Sequence, residues 1–291
     1  MKVAHLSLLT RLIQHSEYWL SAILIGLIAL HTHLLWRLTG NFEQLSLSLF
    51  FWSALLSLLW HKRYAIRPES DPLSSFSGIF IITLVLFRAR VIYINDEVVL
   101  KTLIMVSALG VGLLAVGVKR LNHYWRELLI VFLVALPTTS IGLLLDTHSY
   151  FSIATAKLAA VLLWYLGFEV IRQGIDVILP TGTVEVNSFC SGVIPMLTLL
   201  QLALLFLLMF PTQLRDKIIV PVVAVTLAFI VNVVRVALMT ILVAFSNQSA
   251  FEYWHKGSGS QIFSMISMVT FGWFCQFLNN SQNFDSEIEK Q

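Results

Sequence analysis

The sequence predicts an all-α membrane protein, a polytopic bundle of about eight transmembrane helices with one further re-entrant or interfacial helix. Three observations predict it. Hydrophobic residues make up 57% of the chain and charged residues only 12%, against about 25% charged in a soluble domain. Apolar runs near the length needed to span a bilayer, about 20 residues, recur along the whole chain. Lys and Arg gather between some of those runs and not others, which is the pattern that orients spans.

The runs fall at about 18–36, 45–60, 75–92, 98–118, 127–145, 154–171, 192–210, 218–245 and 260–278. The first is too long for a signal-peptide core and lacks a small-residue cleavage site, so it is expected to be retained as a span. The second is short. The run at 218–245 is long and must tilt or emerge. Pro137, Pro195 and Pro221 lie in or near runs and mark kinks or helix starts, which bundles tolerate. The whole of 1–291 reads as one integral membrane domain, with a polar tail at 279–291.

Basic clusters set the orientation. Lys2 and Arg11, then His61, Lys62, Arg63 and Arg67, then Lys119, Arg120 and Arg126, then Arg215 and Lys217 belong on the cytoplasmic side. The segments Arg37–Glu43 and Asp146–His148 are poor in positive charge and suit the outside, while Arg88, Arg90, Asp96 and Glu97 form a mixed loop. This assignment leaves the chain outside both after the fifth run and before the run at 192–210. The segment 154–178 therefore cannot cross once. Its Glu169, Arg172 and Asp176 are spaced to pair along one helix face, so an outer-face re-entrant or interfacial helix is expected there. An ordinary ninth span is the alternative.

Composition also excludes. The net charge of +3 is spread over loops and makes no basic face for nucleic acid; lipid headgroups are the anionic partner it suggests. Two cysteines make no disulfide framework, and Cys275 lies deep in the last run, which argues against pairing with Cys190. Neither has the close Cys/His spacing of a zinc site. Phosphate loops, metal motifs and the GxSxG elbow are missing, so neither metal nor cofactor is expected.

Three polar residues stand near the ends of the late runs. Cys190 sits in VEVNSFCSGV among the small and polar residues Asn187, Ser188, Ser191 and Gly192. Membrane cysteines are commonly packing thiols, but this one precedes a predicted helix, where the dipole and free amides favour a thiolate and suit an oxyanion. Arg235 lies inside the run at 218–245. An intramembrane arginine is a functional-site hypothesis by default, against a structural pair with an acid or backbone carbonyls. Asn232, three residues earlier on the same face, is placed to orient it or to bind a substrate carbonyl. His255 follows in a short polar stretch beside Tyr253 and Trp254; alone it reads as a solvated loop histidine. Gly257 and Gly259 would let that loop close over a site. His31, His33, His61, His123 and His148 read as loop or helix-end histidines. Gln201 reads as interhelical glue, Lys101 and Lys157 as snorkelling lysines, and Arg88 as a helix end.

Two spans separate Cys190 from His255, so they share a face whatever the earlier helices do, and the Arg215/Lys217 loop makes that face extracytoplasmic. Arg235, about ten residues before the outward end of its run, lies roughly 15 Å deep. A guanidinium reaches several ångströms along its stem, so all three groups are expected to meet in the outer leaflet.

This arrangement resembles the exosortase/archaeosortase family. CSG at 190–192, Asn232 with Arg235 in an apolar helix, and His255 after it carry the likeness, over about 180–262. The chain's size and the style of its CSG stretch are similar to the cyanobacterial branch. The resemblance implies a membrane-embedded cysteine protease or transpeptidase of the plasma (inner) membrane. It would act on C-terminal sorting signals of exported proteins, made of a short motif such as Pro-Glu-Pro, one transmembrane helix and a basic tail. It implies Cys190 as nucleophile, His255 as general acid/base and Arg235 as stabiliser of the oxyanion or thiolate, with Asn232, Ser191 and Gly192 supporting. An accessory membrane subunit is a further expected partner. The competing class is a transporter or channel subunit whose Arg235 binds an anionic substrate; few intramembrane charges and no inverted repeat speak against it. A purely structural subunit would tolerate change at all three positions.

Overall fold

The computed structural model describes residues 16–62, 70–90, 97–255, 257 and 259–288. Lys2, Arg11, Arg63, Arg67 and Asp96, counted above among the orienting and loop charges, lie outside them. The chain forms two compact units, Met1–Pro137 and Thr138–Gln291.

The first unit is built of α1 (Ser16–Thr39), α2 (Phe42–Lys62), α3 (Pro72–Ala89), α4 (Glu97–Arg120), a 3₁₀ turn (Leu121–Tyr124) and α5 (Trp125–Ala135). These match the first four apolar runs. The fifth run does not form one helix. Pro137 has no N–H to donate, so the helix stops at Ala135. Leu136 N–H tightens onto the Leu133 carbonyl at 3.3 Å, and the freed Val134 carbonyl accepts from Lys101 Nζ at 2.9 Å. Lys101 is thus tied to a neighbouring helix end instead of snorkelling. His31 is also not at a helix end: it is buried inside α1 and accepts from Trp52 Nε1 at 3.0 Å.

The second unit holds α6 (Thr138–Leu145), α7 (Tyr150–Tyr165), β1 (Ile171–Gln173), β2 (Asp176–Leu179), β3 (Gly182–Glu185), α8 (Val193–Met209), α9 (Asp216–Ala244), α10 (Gln248–His255) and α11 (Ser260–Ile288). Helices α8 and α9 pack together, and α9 also packs on α7 and α11. Between them lies a core of Val193, Met196, Leu199, Ala203, Val220, Ala224, Ala228, Phe271 and Cys275. Pro221 sits inside α9, near its start. Helix α11 continues to Ile288, so it takes in most of the polar tail.

Six stretches among the described residues are long and apolar enough to cross a membrane; α7 and α8 are shorter apolar helices. The multi-pass helical bundle expected from the runs is what the chain forms. One segment departs from expectation. Residues 154–178 do not make a single helix. Helix α7 ends at Tyr165, and β1, β2 and β3 form a three-stranded antiparallel sheet in that order. Arg172 and Asp176 therefore lie on adjacent strands and Glu169 precedes them, so the expected helical row of the three does not exist. The Arg172 guanidinium donates instead to the Gly174 carbonyl at 2.6 Å. β-branched residues at short intervals, with Gly174 and Gly182 beside the two turns, favour hairpins over helix here. The buried face of the sheet, with Val177 and Val186, packs on Ala156, Ala159 and Leu163 of α7 and on Val233, Val236 and Ala237 of α9.

Candidate active site

Cys190 lies in a turn between β3 and α8, ahead of the helix and outside its first turn. Its N–H closes that turn on the Asn187 carbonyl at 2.8 Å. Three neighbours fix the turn. Ser191 Oγ donates to the Ser188 carbonyl at 2.8 Å and accepts from Val193 N–H at 3.3 Å, at the start of α8. Thr155 of α7 donates to the Ser191 carbonyl at 2.7 Å, with both residues fully buried. Asn232 of α9 donates to the Cys190 carbonyl at 2.8 Å.

Gly192 explains how close these parts come. Its φ is +89°, in the region that disfavours side chains, and a Cβ there would stand 2.8 Å from Asn232 Nδ2. The two residues after the thiol are therefore structural parts of the site. Asn232 is a strut for the Cys190 turn, a contact beyond the two expected of it, orienting Arg235 or binding a substrate carbonyl.

His255 is the last residue of α10, so it is helical and half-buried, not a solvated loop histidine. Helix α9 ends at Ala244, and a left-handed Ser246 (φ 54°) helps reverse the chain. The eight residues of α10 then span about 12 Å. That return brings His255 to Arg235, nine residues inside α9: an Arg235 Nη nitrogen donates to the His255 carbonyl at 3.0 Å. Phe251, one turn earlier, stacks on the imidazole at 5.0 Å between centroids and 27° between planes. Gly257 and Gly259 fold back on Tyr253, where a Cβ on either would meet it at 2.7 or 2.6 Å, so they shape the exit from α10.

The three expected residues converge. Cys190 Sγ lies 3.7 Å from His255 Nε2. Cys190, Arg235 and His255 line one pocket of about 260 Å³, together with Phe251, Thr183 and Glu185. Burial pushes the Cys190 thiol above its ordinary value, and the Arg235 charge opposes that shift. Burial thus works against the helix-start thiolate that the sequence suggests. Arg235 Nε is buried and has no hydrogen-bond partner among the described residues.

A family model for the transmembrane exosortases matches residues 36–272. The chain belongs to the transmembrane exosortase family. As an exosortase it is a multi-pass membrane protein of sorting-signal processing. The match takes in both units and every site residue above. Neither the curated proteins nor the solved structures provide a match to this exosortase. Cys275 shares none of the site chemistry: it is buried on α11 beside Phe271, and both cysteines are free.

Site features that sequence reasoning missed are Thr155, Phe251 and the β3 strand. Phe251 had a signal, since it precedes His255 by one helical turn. Thr155 had none, because its partner is a backbone carbonyl 36 residues away.

Proposed function

We propose that this exosortase is a cysteine peptidase or transpeptidase that cleaves the C-terminal sorting segment of exported proteins. The observation that carries the reading is the 3.7 Å approach of Cys190 Sγ to His255 Nε2 in a pocket that also holds Arg235. A thiol raised by burial is a weak nucleophile until a neighbouring base takes its proton.

His255 Nε2 accepts the Sγ proton as the sulfur attacks the scissile carbonyl carbon. The C–S bond forms and the carbonyl oxygen becomes an oxyanion, for which the Arg235 guanidinium supplies donors and charge. Collapse breaks the C–N bond, and the imidazolium returns its proton to the leaving amine. That releases the anchor and leaves a thioester on Cys190. Water or an acceptor amine then attacks the thioester carbon while His255 takes its proton. The C–S bond breaks, and the imidazolium returns the proton to the sulfur, which releases the acyl product and restores the thiol. Phe251 stacking and the Arg235 bond to the His255 carbonyl hold the imidazole in place, while Asn232 and Thr155 hold the turn that carries the sulfur.

The active site is assigned to the extracytoplasmic face of the plasma membrane. Exposed Arg215 and Lys217 lie at the α8–α9 connection, the end of those helices away from Cys190 and His255, and positive charge stays inside. A substrate that has been translocated but is still tethered by its own helix would reach that face. The substrate helix supplies positioning that a small pocket lacks.

The test is processing of an exported reporter that ends in a Pro-Glu-Pro motif, an apolar helix and a basic tail. Cys190→Ala accumulates the full-length membrane form. Normal processing by that variant would sink the peptidase reading and favour a transporter that uses Arg235 for an anion.

A further inference from the structure

The sheet order β1–β2–β3 leaves one long side of β3 without a strand among the described residues. Hydrogen-bond phase says which residues face that side. Val186 N–H donates to the Ile175 carbonyl at 3.0 Å. These two stand opposite each other on continuing the register that pairs Asp176 with Glu185 and Val177 with Val184. Bonded and non-bonded pairs alternate along an antiparallel ladder. Gly182 and Val184 therefore turn their N–H and C=O groups toward β2, and Thr183 and Glu185 turn theirs away from it.

An unpaired edge of this kind is a template for another strand. Helix α9 covers the face of the sheet: Val177 and Val186 pack on Val233, Val236 and Ala237, and a Cβ on Gly182 would meet Val243 at 2.7 Å. The edge opens elsewhere. Thr183 and Glu185 line the same pocket as Cys190, Arg235 and His255.

We propose that the substrate's extended segment binds as a fourth strand on the outer edge of β3. It hydrogen-bonds to the main chain of Thr183 and Glu185 and so presents its scissile carbonyl to Cys190. The proposal rests on the peptidase reading above. A peptide is the occupant that fits, because its main chain alternates donors and acceptors at the strand's own rise of about 3.3 Å per residue. Arg235 supplies an independent sign: its buried Nε lacks an acceptor among the described residues, and a carbonyl of an added strand provides one. The direction of the chain agrees too, since β3 leads within five residues from Glu185 to the thiol. Main-chain bonding of this kind gives affinity, and pockets for alternate side chains give selectivity. Met239 and Val243 of α9, which line the same pocket, offer an apolar wall to such side chains.

Two experiments test the proposal, both with the full-length protein in membranes or detergent. The first compares Thr183→Pro and Glu185→Pro with Thr183→Ala and Glu185→Ala on the sorting-signal reporter. Proline removes an outward N–H and spares the β2–β3 bonds, as on natural edge strands. Each proline variant raises KM about 5- to 10-fold, the worth of one hydrogen bond. Each alanine variant, which keeps the N–H, changes KM less than about 3-fold. Maleimide labelling of Cys190 and the thermal midpoint report folding. The second uses the unaltered enzyme and synthetic substrate peptides in which single amides are replaced by esters. Losses in binding recur at every second position. Unchanged KM in folded proline variants, alanine variants as impaired as the proline ones, or ester losses without that alternation would overturn the added strand. If the proline variants fail to fold, the ester series decides alone. Failure of the peptidase reading is separately visible as processing by Cys190→Ala, whereas an active Cys190 with no ester alternation rejects only the strand.

Discussion

The chain's two cysteines differ little in burial and completely in company. Cys190 is 9% exposed and Cys275 is 7% exposed. Cys275 sits inside a long helix and packs in an apolar core with Phe271 and Ala203. Cys190 sits in a turn with an imidazole 3.7 Å away and a guanidinium in the same pocket. Burial alone therefore says nothing of chemistry. What separates the two sulfurs is whether the surrounding backbone leaves helix long enough to let other elements reach them. The Cys190 turn does so, and it receives α7 through Thr155, α9 through Asn232 and α10 through His255.

The comparison breaks most sharply on removing each thiol. Cys190→Ala lowers reporter processing by about 10³-fold or more, as loss of a nucleophile does. Cys275→Ala leaves processing within about 2-fold and costs about 1 kcal/mol of stability, read from the thermal midpoint. Equal losses in the two variants would erase the distinction.

A smaller effect comes from the turn itself. Gly192→Ala places a Cβ 2.8 Å from Asn232 Nδ2 at a φ of +89°. Strain of about 1–3 kcal/mol is expected, with processing down about 10- to 100-fold while membrane insertion persists. Wild-type processing would show that the turn is not held as described. Thr155→Val is milder. It deletes one buried hydrogen bond to the Ser191 carbonyl, worth about 1 kcal/mol, so processing falls about 5-fold with the protein still folded.

The smallest effect sharpens the electrostatics. Alkylation of Cys190 by iodoacetamide accelerates with rising pH, because the reactive form is the deprotonated one. Burial raises the thiol and Arg235 opposes that rise, so the inflection lies above that of an ordinary thiol and moves higher still in Arg235→Gln. At neutral pH that variant is labelled a few-fold more slowly. A downward shift would reverse the sign assigned to Arg235.

The helices were legible because a spanning segment must satisfy its own backbone bonds, and the apolar runs show it. Arg235 stood out because it lies inside such a run, and Cys190 because of the small and polar residues around it. His255, which alone reads as a loop histidine, stood out only through the face it shares with Cys190 and its place after Arg235 in the resemblance. The sheet was not, although VIRQGIDVILPTGTVEV carries hairpin signals. Its β-branched residues recur at short intervals, and Gly174 and Gly182 stand beside its turns. Charge spacing at Glu169, Arg172 and Asp176 favoured a helix, and charge spacing is the weaker signal. Lys101 was misread because its partner, the Val134 carbonyl, is released by a proline three residues further on. The bond from Asn232 to the Cys190 carbonyl was not legible, since an amide on the same helix face as Arg235 can turn to a neighbouring loop.

The site's two halves are separated by 65 residues, and that distance has a consequence for biogenesis. A membrane chain is inserted from its N-terminus onward. The Cys190 turn is made before α8 and α9, while the imidazole arrives only with α10. Until those helices follow, Cys190 lacks both Asn232 of α9, which holds its turn, and the imidazole of His255. On the proposed reading, the three groups of the site meet only when residues 248–255 fold back along α9.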